Sequence, residues 1–470
     1  MRRNNMDFNM KSLGKAENPL DHKHPEHSDN ASGSGIPVSR ATRSSRTGAD
    51  LRHQKISQIS RRAFIVQGSA VAAAFFGGIV HAEPQSSGPV KVGFALPSEG
   101  PLVEASQSLF AGFELFLKEK QAQTPRLEIL RKDTGPDKGK TLEALTSLVM
   151  NQRVEFLVGP VSLEGAEKAV HAVAGSDVIL FVTNPSIRLV AGEMCLPGCF
   201  RLGPNNYQAA QPLAAWAVRN LGLKLFMTGD DDVQGNERAD FFAHAFEKAG
   251  GKFVDRVMSE RDPEDIVGLL SKIRKSRPDF VFASFSGNSA VAFFEALRSE
   301  DPALDAPVIG PESLTGFPHG LQQIGKLTGR VRTLTTIRNP GKLIDRIKEQ
   351  LGHEVADAAK AAEGYDVAAV ITEAVQKTTQ VNHDPKEMIP IIEAMEIDGP
   401  RGKVRFDKNH EPILETMVQE WDSSGRTFTQ KVIANLGVCR TPDFGCGKIG
   451  FPSKKGQGPD SAPESDEESD

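Results

Sequence analysis

Four cysteines, a run of three aspartates, a histidine triplet and an arginine pair are the residues here whose type and spacing could do chemistry. The cysteines fall as Cys195 and Cys199, and as Cys439 and Cys446. In an oxidising compartment, an even count in two local pairs suggests two small disulfide loops, with the connectivity, Cys195 to Cys199 and Cys439 to Cys446 or otherwise, left open by the sequence. Zinc is the alternative, but no histidine stands near either pair to complete a tetrahedral set. Asp230, Asp231 and Asp232 resemble part of a Ca²⁺ loop. They lack the glycine and terminal glutamate spacing of an EF-hand, and a turn with a helix N-cap suits three mutually repelling carboxylates better. His22, His24 and His27 form a metal-like tract inside a polar leader. There is no Gly-x-Ser-x-Gly elbow, no HExxH motif and no Cys–His pair, so a catalytic residue, a cofactor and a metal are all unassigned and a non-enzyme is expected.

The arginine pair opens the stretch Ser60 to Ala82, SRRAFIVQGSAVAAAFFGGIVHA. Arg61 and Arg62 precede an uncharged run and small residues in the spacing of a signal-peptidase site, the layout of a secretory signal. Its Ser-Arg-Arg-Ala-Phe-Ile start resembles the bacterial twin-arginine export signal, with Val66 Gln67 where that signal usually has a lysine. As a membrane anchor, a run of about 18 residues would be at the short limit for a span. Cleavage near Ala82 predicts a mature protein starting near Glu83 in the bacterial periplasm.

Removing that signal leaves about 390 residues, enough for two lobes of ordinary size. The composition, 39% hydrophobic and 25% charged, is that of a globular protein, and a net charge of -5 argues against nucleic acid as a partner. Residues 1–59 read as a disordered leader. Residues 437–470 read as a cysteine-containing tail ending in a disordered acidic block with Asp460, Glu464, Asp466, Glu467, Glu468 and Asp470.

From Val90 onward, short β-rich runs alternate with amphipathic helices. Strands are expected at Val90 to Leu96, Leu127 to Leu130, Glu155 to Val158, Val178 to Val182 and Cys199 to Leu202. Helices are expected at Glu104 to Lys120, about Thr141 to Met150, Gly165 to Ala174 and Tyr207 to Asn220, the last closing this first series. A second series runs through strands at Leu223 to Thr228, Phe253 to Met258, Phe280 to Ala283, Pro307 to Ile309 and Val331 to Thr336. Its helices are Glu237 to Ala249, Ile266 to Lys275 and Ser289 to Arg298. Residues 354–396 supply further helices, including Tyr365 to Lys377, and Arg401 to Phe406 and Thr416 to Trp421 supply late strands. The reading is an α/β fold of two hinge-linked lobes, each a mainly parallel sheet flanked by helices. Lobe 1 spans 89–220 with part of 337–400, and lobe 2 spans 221–336 with part of 400–436.

Three local matches make this chain similar to the type I periplasmic solute-binding proteins of ABC transporters, in particular the branched-chain amino acid and amide receptors. The opening strand VKVGFALPSEGP places Ser98, Gly100 and Pro101 in a turn. VIGPE, Val308 to Glu312, matches a second-lobe strand end, and GPRGKVRF with Asp407 matches the segment that marks the C-terminal part. The resemblance implies a cleft that captures a small polar solute (amino acid, amide or carboxylate) for an ABC permease of the inner membrane. It also implies a monomer or weak dimer. A ligand sensor of the same fold, regulating a membrane or protein partner, is the alternative. By the family's pattern, Ser98, Ser162, Leu163, Thr183, Asn184 and Ser186 are the first-lobe ligand contacts, and Gln234, Phe285, Ser286 and Glu312 the second-lobe ones. Gln234 and Ser286 stand where many relatives place aromatic residues. With two Tyr and two Trp in the chain, an aromatic pocket would rest on Phe285. Glu312 falls on the acid that holds a ligand ammonium, and its charge favours a cation or an N–H donor.

Overall fold

The computed structural model describes residues 88–446 apart from 136–137, 260–262, 300–303, 317–329, 379–384 and 425–426. The export signal Ser60 to Ala82, the leader with its histidines and the acidic block beyond Cys446 lie outside the described residues.

In chain order, the first series is β1 (Val90–Leu96), α1 (Val103–Glu119), β2 (Leu127–Asp133), α2 (Lys138–Thr146), β3 (Phe156–Val158), α3 (Leu163–Val173), β4 (Ile179–Val182) and β5 (Cys199–Arg201). The second is α4 (Asn206–Asn220), β6 (Lys224–Asp230), α5 (Val233–Lys248), β7 (Lys252–Ser259), α6 (Pro263–Ser276), β8 (Phe280–Ser284), α7 (Asn288–Ser299), β9 (Val308–Gly310) and β10 (Val331–Thr335). There follow α8 (Pro340–Leu351), α9 (Ala358–Lys377), α10 (Pro385–Glu393), β11 (Glu396–Gly399), β12 (Gly402–Phe406), β13 (Pro412–Ser424) and β14 (Thr427–Cys439).

The first sheet is parallel throughout, in the order β2-β1-β3-β4-β5. Its central strand β1 is apolar at nearly every position because both faces are covered. Val90, Val92, Phe94 and Leu96 pack with α1, α8 and α9, whereas Ala95 packs with α2 and α3. The second sheet runs β11-β12-β13-β10-β9-β8-β6-β7, with β14 paired to β13. Its parallel strands β6 to β10 are extended by the antiparallel partners β13 and β14. Helices α6 and α7 cover one face of this sheet, and α4 and α5 cover the other.

Helix α4 is therefore part of the second sheet's core, where Leu213 and Ala217 meet Leu225 and Phe242, whereas the sequence reading placed it at the close of the first series. Pattern reading sees an amphipathic helix but not which sheet its apolar face meets. The chain returns to the first lobe with α8, α9 and α10. Helix α9 crosses α1 so closely that a Cβ on Gly112 would lie 1.8 Å from the Ala361 carbonyl oxygen, and one on Gly364 1.8 Å from that of Leu109. That crossing fixes where the N-terminus of α9 points. The final strand β14 escaped the sequence reading because it alternates half-buried with exposed positions, leaving Ile433 and Val438 in solvent.

The expected local disulfides are corrected. The bond joins Cys195 to Cys446, whose Cα atoms are 5.6 Å apart, and Cys199 and Cys439 are free and buried. Strand β5 commits Cys199 to the core beneath α3, and β14 commits Cys439 to its pairing with Leu414. The loop cysteines meet because the N–H groups of Phe444 and Cys446 both donate to the Ala191 carbonyl at 3.3 Å. The Phe444 ring packs between Tyr207 and Phe241, and the Asn205 side chain donates to Thr441 Oγ1 at 2.8 Å. Burial pushes both free thiols up to about 12, so neither is a ready nucleophile.

Two outcomes follow. A non-reducing peptide map should link the Cys195 and Cys446 peptides, with Cys199 and Cys439 alkylated only after unfolding; a Cys195–Cys199 peptide would contradict this connectivity. Gly364→Val should lower stability in denaturant titrations by about 3 kcal/mol or more, because the helices must separate to admit the side chain.

Candidate functional site

In open α/β sheets the loops at the carboxyl ends of parallel strands carry unsatisfied backbone groups and face the crevice. At the end of β1, Ser98 is exposed and its N–H donates to Asp133 Oδ1 at 2.8 Å. The N–H groups of Gly135 and Ser98 hold the Asp133 carboxyl below its usual range. After β3, the Ser162 hydroxyl caps α3, accepting from the Gly165 N–H at 3.2 Å, and Leu163 begins that helix. After β4, Thr183, Asn184 and Ser186 are buried. Thr183 Oγ1 donates to the Pro160 carbonyl at 3.1 Å and Asn184 Nδ2 to that of Val161 at 2.9 Å, so these side chains tie the β3 and β4 loops together. Asn184 Oδ1 accepts from the Ser186 N–H at 3.0 Å, while Ser186 Oγ is buried without a partner. Arg201 underpins the loop, donating to the carbonyls of Asn184 and Ser186 while pairing with buried Glu411 at 3.1 Å.

In the second lobe, Asp230 ends β6 fully buried and acts as a hub. It accepts from the N–H and Oγ of Ser286, both at 3.1 Å, and from Ser289 Oγ at 2.5 Å. Asp232 caps α5, accepting from the Gly235 N–H at 2.7 Å, in keeping with the turn-and-cap expectation for the aspartates. Gln234 is half-buried in the first turn of α5. Phe285 does not serve as a pocket wall. It is wholly buried, its ring 4.9 Å from that of Phe293, because the strand period places it with Val281 and Ala283 on the α7 face.

Glu312 follows β9 in a short 3₁₀ turn. Thr335 Oγ1 donates to its Oε1 at 2.6 Å, and Oε2 is buried with no partner, although the residue as a whole keeps some exposed surface. Burial pushes the carboxyl up to about 7; Asp357 acts in the same direction, while Thr335, Arg401 and the Thr336 backbone N–H oppose it. Asp357 is the N-cap of α9, accepting from the Lys360 N–H at 3.0 Å, and burial raises its carboxyl too. Lys360 Nζ donates to the Thr183 carbonyl at 2.5 Å and to Glu363 at 2.7 Å, joining α9 to the β4 loop. Arg401 is also buried. It donates to Asp366 at 2.8 Å, to Thr336 Oγ1 at 3.1 Å and to the Ala359 carbonyl at 2.6 Å.

Glu312 lines a cavity of about 40 Å³ between the lobes. Thr315 and Gly316, Pro340 and Ile344 of α8, residues 356–359, and Gln419, Trp421 and Gln430 of the β13–β14 hairpin complete its wall. A larger open groove of about 460 Å³ runs along α2 past Leu142 and Ser147, away from every strand end just described. Depth, titratable groups and the meeting of both lobes favour the smaller cavity as the chemical centre.

The expected residues thus form two groups. Ser162, Thr183, Asn184 and Ser186 share the bonded β3–β4 loops, and Ser286 joins Asp230 across the second sheet. Asp357, Lys360, Thr335 and Arg201 were not found by sequence reasoning. An Asp before an alanine-rich helix signals an N-cap, but nothing local says that α9 carries this cap to Glu312.

The comparisons with known proteins agree with this architecture. A family model described as a periplasmic binding protein matches residues 89–426. The Leu/Ile/Val-binding protein homolog 6 of Brucella melitensis is 22% identical over 339 residues, covering 70% of this chain and 86% of that protein. A solute-binding protein of an ABC transporter from R. palustris, in complex with benzoate, superposes with a TM-score of 0.68 at 20% identity, covering 76% of this chain and 99% of the other. A leucine-binding protein from Thermotoga maritima gives a TM-score of 0.62 at 17% identity, covering 74% and 99%.

The raised Glu312 pKa has a measurable consequence. Because the folded value, about 7, exceeds the ordinary 4.5, the group's contribution to stability is fully present below about pH 4.5 and is lost as the pH rises through 7. Glu312→Gln should flatten the stability–pH profile across that window, by an amount on the order of 3 kcal/mol, in thermal melts of both proteins. Parallel profiles would place the titration elsewhere.

Proposed function

The chain belongs to the periplasmic binding protein family, and on that premise we propose that it is an extracytoplasmic receptor. It captures a small polar solute, an amino acid, amide or carboxylate, between its lobes and delivers it to an ABC permease of the inner membrane. Export through the twin-arginine-like segment, with cleavage near Ala82, would place it in the periplasm. Its relatives and structural neighbours are solute-binding proteins, and the chain is a binding protein rather than an enzyme.

The carrying observation is Glu312, a carboxylate at a second-lobe strand end with one buried, unpartnered oxygen, set beside the N-terminal turn of a first-lobe helix. An acid in this state favours a ligand that brings a cation or an N–H donor, since either removes the cost of the unsatisfied oxygen. In the first lobe, Ser186 Oγ is likewise buried without a partner, outside the wall of that cavity. Ser98, Ser162, Leu163, Thr183, Asn184, Gln234 and Ser286 shape the loops around the cleft. Several of them act through the backbone they hold, because their own side chains are already bonded to the protein.

A thermal-shift screen against amino acids, amides, ureas and aromatic and short-chain carboxylates tests the reading. A ligand at 100 times its Kd should add about 2.7 kcal/mol to the folded state, a shift of several degrees. Glu312→Ala should weaken calorimetric binding of any hit more than tenfold without unfolding the protein. Unchanged affinity would remove Glu312 from the site, and a flat screen would count against the receptor.

A further inference from the structure

Among the described residues, three peptide segments pass between the lobes: 202–205 between β5 and α4, 336–339 between β10 and α8, and 407–411 between β12 and β13. The segment after β14 runs beside two of them. Asn205 Nδ2 donates to Thr441 Oγ1 at 2.8 Å, and Lys408 Nζ pairs with Asp443 at 3.7 Å. The segment then makes a connection of its own. Phe444 keeps its ring on the second lobe, 5.8 Å from that of Tyr207 on α4 and 5.5 Å from that of Phe241 on α5. Two residues later Cys446 is bonded to Cys195 in the first-lobe loop before β5, and the N–H groups of Phe444 and Cys446 both donate to the Ala191 carbonyl of that loop. Gly445 turns the chain between these anchors at a φ of 112°, which glycine adopts without a Cβ clash, and its N–H donates to Asp443 Oδ1 at 2.8 Å.

The reach of this connection is short. Two residues span about 7 Å at full extension, and the disulfide holds its Cα atoms 5.6 Å apart. A peptide hinge moves by changing φ and ψ over a few residues, whereas a bonded link of this length stays near its contact distance unless the Phe444 ring leaves its seat. At the same edge Glu237 of α5 accepts from the Ile187 N–H at 3.2 Å, so the β4–β5 loop is also hydrogen-bonded to the second lobe. That bond can open and close freely, but a disulfide does not rearrange unaided for minutes to hours.

We propose that residues 440–446 are a covalent strap that limits how far the two lobes part. Three peptide crossings permit a hinge, and the fourth, linked through sulfur, restricts its amplitude where α4, α5 and the β4–β5 loop meet. The ligand-free protein then spends more of its time near the arrangement seen here than it would with the strap cut. Apparent Kd is the intrinsic Kd divided by the binding-competent fraction, so the strap strengthens capture of a solute held between the lobes. That consequence rests on the receptor reading; the strap itself does not.

The test needs no ligand. Spin labels are attached through Glu143→Cys on α2 and Asn288→Cys at the start of α7, exposed positions on the first and second lobes. Cys199 and Cys439 are buried and do not compete for the label. With the disulfide intact, pulsed electron paramagnetic resonance should give one narrow distance distribution. Cys195→Ser combined with Cys446→Ser should broaden it and add a longer-distance population. Phe444→Ala, which keeps the disulfide but frees the second-lobe end of the strap, should do the same to a smaller extent. Amide-resolved hydrogen exchange should agree, with the Ile187 N–H exchanging about tenfold faster or more in both variants while the amides of β1 and β6 keep their protection. An unchanged distance distribution in the double variant would reduce the disulfide to a pin for the chain end and overturn the strap, with the receptor reading untouched. Broadening in the double variant that Phe444→Ala does not share would also overturn it, because the second-lobe anchor would then restrain nothing.

Discussion

Arg401 is the interaction on which the two-lobed arrangement depends. Its guanidinium reaches the first lobe through Asp366 and the Ala359 carbonyl, both on α9, and the end of the second sheet through Thr336. The Arg401–Asp366 pair is almost wholly desolvated, with side chains 1% and 0% exposed. Burying two charges costs several kcal/mol per ion, so such a pair is weak evidence for stability but strong evidence for a unique geometry, since losing either partner strands the other. Here the geometry is the position of the α9 N-terminus relative to the end of β10, the two structures that flank Glu312.

Other contacts support the same placement. The glycine contact between α1 and α9 sets the helix axis, Lys360 fastens its first turn to the Thr183 carbonyl, and Ser108 Oγ accepts from the Asp357 N–H at 3.2 Å. Arg201 repeats the device on the other side of the first sheet, joining the β4 loop to Glu411 in the turn before β13. The segment after β14 adds a covalent link, because it leaves the second sheet and ends in a disulfide on the loop before β5. Against this rigid frame Glu312 Oε2 is one of several buried side-chain atoms without a hydrogen-bond partner among the described residues.

Much of this was legible in the sequence. The alternation of VKVGFAL-type runs with amphipathic helices announced parallel sheets, and the GPRG segment marked the late crossing where Arg401 sits. VIGPE placed Glu312 at a strand end. What misled was equally specific. Cysteine spacing suggested neighbours in sequence, but strands β5 and β14 had already assigned Cys199 and Cys439 to cores. Phe285 looked like a pocket ring because of its place after a strand, while the period of two along β8 turned it inward. Helix α4 showed its apolar face without showing which sheet would receive it.

Local pattern therefore determined the elements, their order, the two-lobed class and the loops at which a site must lie, because periodicity, capping and turn chemistry act over a few residues. Only the tertiary structure decided which helix covers which sheet, which cysteines meet, and that the N-cap of α9, Asp357, stands at the same cavity as Glu312. The cysteine pair lies 251 positions apart, and even the nearer relations turn on which face of an element meets which sheet. They are set by packing volume, by the pairing of buried charges and by strand parity, quantities that no single stretch of chain contains.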